Sequence, residues 1–335
     1  MSATTPTLSF VIPFLDEEKT LRPLFERITA ATKPLLRDGE TFEVIFIDDG
    51  SRDSSPQVAE DLAAENAEVT FLQFRGNFGK SAALAAGFER ARGDVVFTLD
   101  ADLQDDPKEI PRFLEALDQG YDVVSGYKQK RHDPWHKVFP SRLFNGMVRK
   151  LTGVPLRDVN CGFKAYRREV VKSVRLYGEM HRFVPVLAHW RRFRVGEIVV
   201  EHHPRKHGVS KYGARRFYRG LMDLLTVFFL LKYDRKPLHF FGAFGIVSSL
   251  LGLGICSYLT VLKVLGHAIG HRPLLILGIL LIVVGVQILA TGLIAELLVH
   301  LGGRDQAPYE IRRVVTGKTG AQEPARLASA AGAKS

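Results

Sequence analysis

The sequence predicts an α/β protein with a mostly parallel, doubly wound sheet flanked by helices, followed by interfacial amphipathic helices and a two-helix transmembrane hairpin. Three observations carry that prediction. Short β-branched and aromatic runs recur about every 25 residues between residues 8 and 125, alternating with segments of helical spacing. Polar clusters follow the ends of the first four runs. Two uncharged apolar stretches, 240–262 and 273–295, lie near the end of the chain, each longer than the roughly 20 residues that span a bilayer.

Leu8–Pro13 reads as the first strand and Glu17–Ala31 as a helix with apolar positions on one face. Phe42–Ile47 is the second strand, ending in Asp48-Asp49-Gly50-Ser51. The next helix starts near Ser54-Ser55-Pro56, where serine suits the cap and proline the first turn. Val69–Phe74 is a third strand, followed by Arg75-Gly-Asn-Phe-Gly-Lys80 and an alanine-rich helix, Ser81–Ala91. Val95–Leu99 is the fourth strand, Pro107–Leu117 its helix and Tyr121–Ser125 the fifth strand. Beyond it, Lys128–Lys137 is basic and turn-rich and Ser141–Leu151 a basic helix. A short strand at Phe163–Arg167, a helix at His181–Arg191 and a strand at Val195–His202 complete this part.

In parallel sheets, ligands bind outside the carboxyl ends of the strands. Asp16-Glu17, Asp48-Asp49, Gly79-Lys80 and Asp100/Asp102 all fall at such ends. Each taken singly could be a helix cap, but capping does not explain so many acids gathered beside a lysine. The stretch Leu99-Asp-Ala-Asp-Leu-Gln104 offers hard oxygen ligands for a divalent cation such as Mg²⁺ or Mn²⁺. It also reads as a solvated acidic turn before a helix capped by Asp106 with Pro107 in its first turn.

The formal net charge is +10, and the positive residues concentrate between Lys128 and Lys236. Such a balance suits an anionic partner. Two cysteines, Cys161 and Cys256, give no disulfide framework, and the polar start followed by a short apolar run is no signal peptide. Residues 213–236 mix arginines with aromatics and leucines, the pattern of helices lying in a bilayer interface. The short linker between the apolar stretches predicts a hairpin with both chain ends on one side. Arg304, Arg312, Arg313 and Lys318 after the second span, with the basic residues before the first, place those ends in the cytoplasm, although Lys263 and Arg272 lie in the linker. Gly242, Gly245, Gly252 and Gly254 offer close helix packing, and Gln287 and Glu296 are expected to face protein rather than lipid. Because the basic, aromatic segment adjoins these spans, phospholipid and lipid phosphate explain it better than nucleic acid does.

Several strings together resemble a known family. They are Val11-Ile-Pro-Phe-Leu-Asp-Glu-Glu18, Ile47-Asp-Asp-Gly-Ser51, Asn77-Phe-Gly-Lys-Ser-Ala-Ala-Leu84 and Leu99-Asp-Ala-Asp-Leu-Gln-Asp105. Downstream come Ser141-Arg-Leu-Phe-Asn145, Asp158-Val-Asn-Cys-Gly-Phe-Lys-Ala-Tyr166 and Pro204-Arg-Lys-His-Gly-Val-Ser-Lys211. In this order they resemble family 2 glycosyltransferases with the Rossmann-like GT-A fold. With the two spans, the chain resembles the polyprenyl-phosphate glycosyltransferases, a group that includes dolichyl-phosphate mannose synthase and bacterial undecaprenyl-phosphate sugar transferases.

The resemblance implies a flexible start over residues 1–7, a cytoplasmic GT-A domain over 8–212 and juxtamembrane helices over 213–237. Hydropathy and composition place the spans within 238–301, at about 240–262 and 273–298, and predict a largely disordered cytoplasmic tail over 302–335. The implied reaction is inverting transfer of a sugar from a nucleotide-diphosphate sugar to a polyprenyl phosphate at the cytoplasmic membrane leaflet. Asp49, with Asp48, Glu17 and Pro13, would face the donor, and Lys80 and Arg205 would clamp its phosphates. Asp100, Asp102 and Gln104 would hold Mg²⁺ or Mn²⁺ on the diphosphate. Arg142, supported by Lys137 and Arg131, would cradle the acceptor phosphate, though each could instead be a solvated charge or touch lipid headgroups. Asp158 would orient the sugar, an arginine or the acceptor, so that Asp102, Asp158 and Arg142 form the implied catalytic set.

One departure stands out: Leu15-Asp16-Glu17 occurs where the family often has Tyr-Asn-Glu, which leaves uridine against guanosine donors open, with UDP-sugars favoured over GDP-mannose. Histidines 202, 203 and 207 lack zinc-site spacing and read as loop or phosphate-facing residues. A processive polysaccharide synthase would carry a Gln-x-x-Arg-Trp string, whereas Trp190 stands without it. A catalytically silent nucleotide-sugar-binding scaffold would have lost the acids or the acceptor cradle. The resemblance and the glycine-containing spans permit a homotetramer.

Overall fold

A computed structural model describes residues 7–129, 145–174, 176, 178, 180–201, 222, 226, 228–229, 232–233, 236–267 and 273–302. The chain divides into two units, Met1–Leu231 and Lys232–Ser335.

In the first unit, strands β1 (Leu8–Phe14), β2 (Phe42–Asp48), β3 (Val69–Gln73), β4 (Val95–Thr98), β5 (Val123–Tyr127), β6 (Lys164–Arg167) and β7 (Val195–Val199) form one seven-stranded sheet. Its order is β3-β2-β1-β4-β6-β5-β7. The pairs β1–β2, β1–β4, β2–β3 and β5–β7 are parallel, and β6 runs antiparallel to both β4 and β5. The expected mostly parallel sheet is therefore present, with one reversed strand inserted.

Helices α1 (Leu21–Thr32), α2 (Ser55–Glu65), α3 (Lys80–Arg90) and α4 (Ile110–Asp118) follow the first four strands. Residues 145–152, described from 145 onward, are helical as expected. A short helix α6 (Arg168–Ser173) and α7 (Val184–Trp190) come later, counting 145–152 as α5. The first helix starts four residues later than its apolar pattern suggests. Glu17–Thr20 forms a turn instead, in which Thr20 N donates to the Glu17 carbonyl at 3.0 Å and Thr20 Oγ1 to Glu17 Oε2 at 2.9 Å. The helix expected from Pro107 begins as a 3₁₀ turn, Pro107–Glu109, with Asp106 accepting from Lys108 N at 3.1 Å as its cap.

Alternation along the strands builds two cores, one on each face. Phe10, Ile12, Phe14, Val44, Phe46 and Phe97 pack with Leu24, Ile28 and Phe113 on one face. Val11, Ile45, Ile47 and Val96 pack with Leu84, Phe88 and Val184 on the other. The Phe10 and Phe97 rings stack at 5.2 Å, Phe97 meets Phe113 edge-on at 6.0 Å, and Phe113 meets Phe163 at 4.4 Å. This aromatic ladder ties β1, β4 and α4 to the segment that leads into β6.

In the second unit, Pro237–Val264 and Pro273–Gly302 are helices long and apolar enough to cross a membrane. They pack on each other through glycines. A Cβ at Gly245 would lie 2.7 Å from the Gly285 carbonyl, and one at Gly252 would lie 2.5 Å from that of Gly278. The seven-residue steps 245 to 252 and 278 to 285 keep these glycines on one seam of each helix. Gly254 takes no part and faces open space. Gln287 is exposed on the outside of the helix pair, since the seam between the two helices is occupied by glycine at 285 and Leu289. Glu296 does turn to protein: its Oε2 accepts from Leu238 N at 3.1 Å, capping the first apolar helix with negative charge. Of the expected amphipathic stretch 213–237, only scattered positions are described, and the tail from 303 lies outside the described residues.

Replacing Gly252 by Leu forces the apolar helices apart. The variant is expected to lose about 1–3 kcal/mol of stability to overpacking, read as a lower melting temperature in detergent. Gly254→Leu, which meets open space, is the matched control and should melt with the wild type.

Candidate active site

Strands β1, β2 and β3 proceed toward one side of the sheet, whereas β4 lies on the opposite side of β1. The order therefore reverses between β1 and β4, where open α/β sheets form a ligand crevice. Asp100 lies just beyond β4 at that crevice. Because β6 is antiparallel, its first residue, Lys164, pairs with Thr98 at the same edge. Asn160, Cys161 and Gly162 arrive there too, and they line one cavity with Lys80, Asp100, Lys164, His181 and Arg182.

The strand alternation of β4 continues into the loop. Leu99, Ala101 and Leu103 are buried in the core that holds Phe97 and Phe113, so Asp100, Asp102 and Gln104 occupy the intervening positions. Leu103 holds φ at 61°, a conformation that costs a non-glycine residue on the order of 1–3 kcal/mol. Burial of its side chain offsets that strain. Asp102 Oδ1 accepts from Gln104 N at 3.2 Å, which tightens the turn.

Lys80, the first residue of α3, forms an ion pair with Asp100 Oδ1, and each keeps 35% of its side chain exposed. Burial alone would push the Asp100 carboxyl up, but the charge and hydrogen bond of Lys80, aided by Lys128 and Lys164, hold it well below the usual carboxylate range. Gly162 stands directly behind: a Cβ there would lie 2.6 Å from the Asp100 carboxylate. Thr98 Oγ1 fixes that glycine by donating to its carbonyl at 2.9 Å.

Other carboxylates shape the edge. Asp49 accepts from the backbone of Phe78 at 2.7 Å and of Gly79 at 3.0 Å, which holds the loop that delivers Lys80. Asp48 is fully buried, accepting from Ser51 N at 2.8 Å and Gln73 Nε2 at 3.4 Å, so it braces the turn from inside. Glu17 donates its N–H to Ser55 Oγ at 2.7 Å, and Asp16, with φ 57°, accepts from Arg52 N at 2.8 Å. Pro13 lies within β1 opposite Ile47. Asp158 is buried, accepting from Asn160 N at 3.0 Å and from Asn145 Nδ2 at 3.4 Å. The structure thus gathers Lys80 and Asp100 around one cavity, with Asp158 buried in the segment leading to it. Arg131, Lys137, Arg142, Arg205 and the histidines at 202, 203 and 207 lie outside the described residues.

Sequence pattern alone does not single out His181 and Lys164, which line the cavity, or Lys128, which pairs with Asp105. His181 accepts or donates at Ser81 Oγ, 3.1 Å from its Nδ1, and its backbone N–H donates to the same oxygen at 2.9 Å. Burial, reinforced by the charges of Lys80, Arg182 and Lys164, pushes its imidazole down to about 2, so it stays neutral. Lys164 is nearly completely buried at 3% exposure. Lys128 pairs with the buried Asp105 at 2.9 Å. Burial opposes the Lys128 charge, but the attraction of Asp105 and Asp100 outweighs it and raises its pKa. The signal for Lys164 was a lysine inside the apolar run Phe163-Lys-Ala-Tyr166. His181 gave none, since only the fold brings it to Ser81.

Asp100, Asp102 and Gln104 carry oxygen donors of the kind that a hard divalent cation prefers, and of the three Asp100 is the one that lines the cavity. Among the described residues, no group of three or more His, Cys, Asp or Glu side chains converges as a metal cage. Two carboxylates suit a cation that completes its shell with substrate phosphate and water.

Residues 9–175 match the model of glycosyl transferase family 2. The chain is 39% identical over 315 residues to dodecaprenyl-phosphate galacturonate synthase of Rhizobium johnstonii, covering 92% of both chains. It is 37% identical over 322 residues to undecaprenyl-phosphate 4-deoxy-4-formamido-L-arabinose transferase of Pseudomonas fluorescens, covering 95% of this chain and 92% of that one. Among solved structures, glucosyl-3-phosphoglycerate synthase of Mycobacterium tuberculosis, in complex with Mn²⁺, UDP-glucose and phosphoglyceric acid, superposes with a TM-score of 0.51. That match has 22% identity and covers 66% of this chain and 80% of the other, a likeness of fold.

Asp49→Ala leaves the Phe78 and Gly79 amides without their acceptor. The expected cost is about 1–3 kcal/mol, read by thermal unfolding, with faster hydrogen exchange at those two amides. Unchanged exchange would mean that the loop is held by other contacts.

Proposed function

Since the chain belongs to glycosyl transferase family 2, we propose that it transfers a sugar from a nucleotide-diphosphate sugar to a polyprenyl phosphate at a membrane surface. One observation carries this reading. A single chain joins a Lys80–Asp100 cleft at the sheet's order reversal to two helices long enough to span a bilayer. Relatives aligned over nearly their whole length, and named for dodecaprenyl and undecaprenyl phosphate, support the acceptor class.

In this reading, Asp100 and Asp102, with Gln104, hold Mg²⁺ or Mn²⁺ against the donor diphosphate. The fold neighbour crystallised with Mn²⁺ and UDP-glucose supports the choice of cation and of a UDP-sugar. When bound, the cation stabilises negative charge on the departing nucleoside diphosphate. Lys80 steadies Asp100 and adds positive charge beside the phosphates, and Arg205 supplies a second cation to them. Asp49 and Glu17 frame the nucleoside side, while Asp48 acts through the turn it braces and Pro13 through the strand.

The acceptor phosphate is already anionic, so the reaction needs orientation and charge neutralisation more than a general base. Arg142, with Lys137 and Arg131, grips that phosphate. A phosphate oxygen then attacks the anomeric carbon in line, forming the new C–O bond as the bond to the nucleoside diphosphate breaks, with inversion. Asp158, which accepts from Asn145 and Asn160, orients the sugar or the acceptor through that network. The apolar helices cross the membrane with both chain ends cytoplasmic, which keeps the cleft on the side where nucleotide sugars are made.

Purified protein incubated with undecaprenyl phosphate, Mn²⁺ or Mg²⁺ and a panel of UDP- and GDP-sugars should form a glycolipid from at least one donor. No product across the panel would overturn the reading. Asp102→Asn is expected to reduce turnover at least 100-fold, roughly the scale of a lost transition-state electrostatic contact, while the melting temperature holds. Arg142→Ala should raise KM for the lipid far more than for the nucleotide sugar; the reverse split would move that arginine to the donor.

A further inference from the structure

Lys164 is 3% exposed, and it lines the cavity that also holds Lys80, Asp100 and His181. Among the described residues, the partner of its ammonium is the Cys161 carbonyl, with no carboxylate at ion-pair distance. Asp100 and Asp158 act on it only from farther away, while Lys80 repels it. A buried ammonium without a paired carboxylate is costly, and proteins seldom keep one without a use. Here burial pulls its proton affinity below the ordinary lysine range.

Lys164 pairs in register with Thr98 on β4 and Ser125 on β5, both buried and neither charged, so the strand partners supply no counter-charge. Among the described residues that line it, the cavity also carries Lys80, paired with Asp100, and Arg182. It lies where the first residue of β6 meets the end of β4.

We propose that Lys164 is a substrate-phosphate ligand, its buried ammonium meeting a phosphate oxygen of one of the two substrates beside Asp100. This inference rests on the glycosyl-transfer reading and adds a cation to that machinery from the sheet itself. The oxygen belongs either to the donor diphosphate or to the lipid phosphate; the chemistry of recognition is the same.

The test compares full-length wild type with Lys164→Met and Lys164→Arg in detergent. Three quantities are read: melting temperature, binding of UDP and of GDP with Mn²⁺ by calorimetry, and KM for undecaprenyl phosphate. Lys164→Met should melt at or above the wild-type temperature, because it removes a desolvated charge. It should weaken one substrate roughly 10- to 100-fold, the scale of a lost hydrogen bond to a charged group, and Lys164→Arg should recover part of that loss. Weaker nucleotide binding assigns the lysine to the donor; intact nucleotide binding with a raised lipid KM assigns it to the acceptor. Unchanged affinity for both, or losses that follow a lower melting temperature, would overturn the proposal and leave Lys164 as a brace for the Cys161 carbonyl. Should the wild type make no glycolipid, the glycosyl-transfer reading fails by itself. Direct titrations of the nucleotides and of undecaprenyl phosphate then decide Lys164 alone, with unchanged affinity for both counting against it.

Discussion

The way the chain leaves β4 constrains everything at the carboxyl edge of the sheet. Leu99, Ala101 and Leu103 stay in the core, and burying three apolar side chains on alternate positions forces Asp100, Asp102 and Gln104 into the intervening ones. The turn accepts a left-handed leucine to keep that alternation going past the end of the strand. Carboxylates held in this way would repel one another and resist desolvation unless cations came to them. Lys80 comes from the start of α3, and Lys128, at the end of β5, reaches the buried Asp105.

The reversed strand is the second device. A purely parallel continuation from β4 would bring the next segment to the crevice at its carboxyl end. Antiparallel β6 instead brings its amino end, and with it Asn160, Gly162 and Lys164. Gly162 is needed there because the Asp100 carboxylate occupies the space that a side chain would take. The aromatic contacts of Phe163 with Phe97 and Phe113 anchor this segment to the core behind the site. Positional accuracy at the cleft thus comes from the packing of Phe163, the residue between Gly162 and Lys164.

Stability and function meet in the handling of charge. Glu43, Asp48 and Asp158 are buried acids with their oxygens accepted into hydrogen bonds, and they hold loops in place. Lys164 differs in having a carbonyl where a carboxylate would be expected, an arrangement that sacrifices stability for readiness to bind an anion. In the apolar helices the same economy takes another form. Glycines at 245, 252, 278 and 285 allow backbone contact without any polar group in the seam, and Glu296 is spent on a helix terminus.

Local sequence was enough for the parallel strands, the helices between them, the two apolar helices and the acidic turn, because each is written in nearest-neighbour periodicity. Hydrophobic alternation sets which side chains go inward, and an uncharged run of bilayer length has few other uses. The late start of α1 was hidden because Glu17 and Thr20 satisfy each other in a turn that apolar spacing does not register. The direction of β6, the neutrality of His181, the glycine seam in the second apolar helix and the burial of Lys164 were decided only by tertiary structure. These depend on residues brought together from far apart in the chain, such as Ser81 with His181 or Gly245 with Gly285, and composition near one partner carries no information about the other. Asp100 was legible as an acid at a strand end; that a lysine from α3 pairs with it and a glycine before β6 makes room for it required the fold.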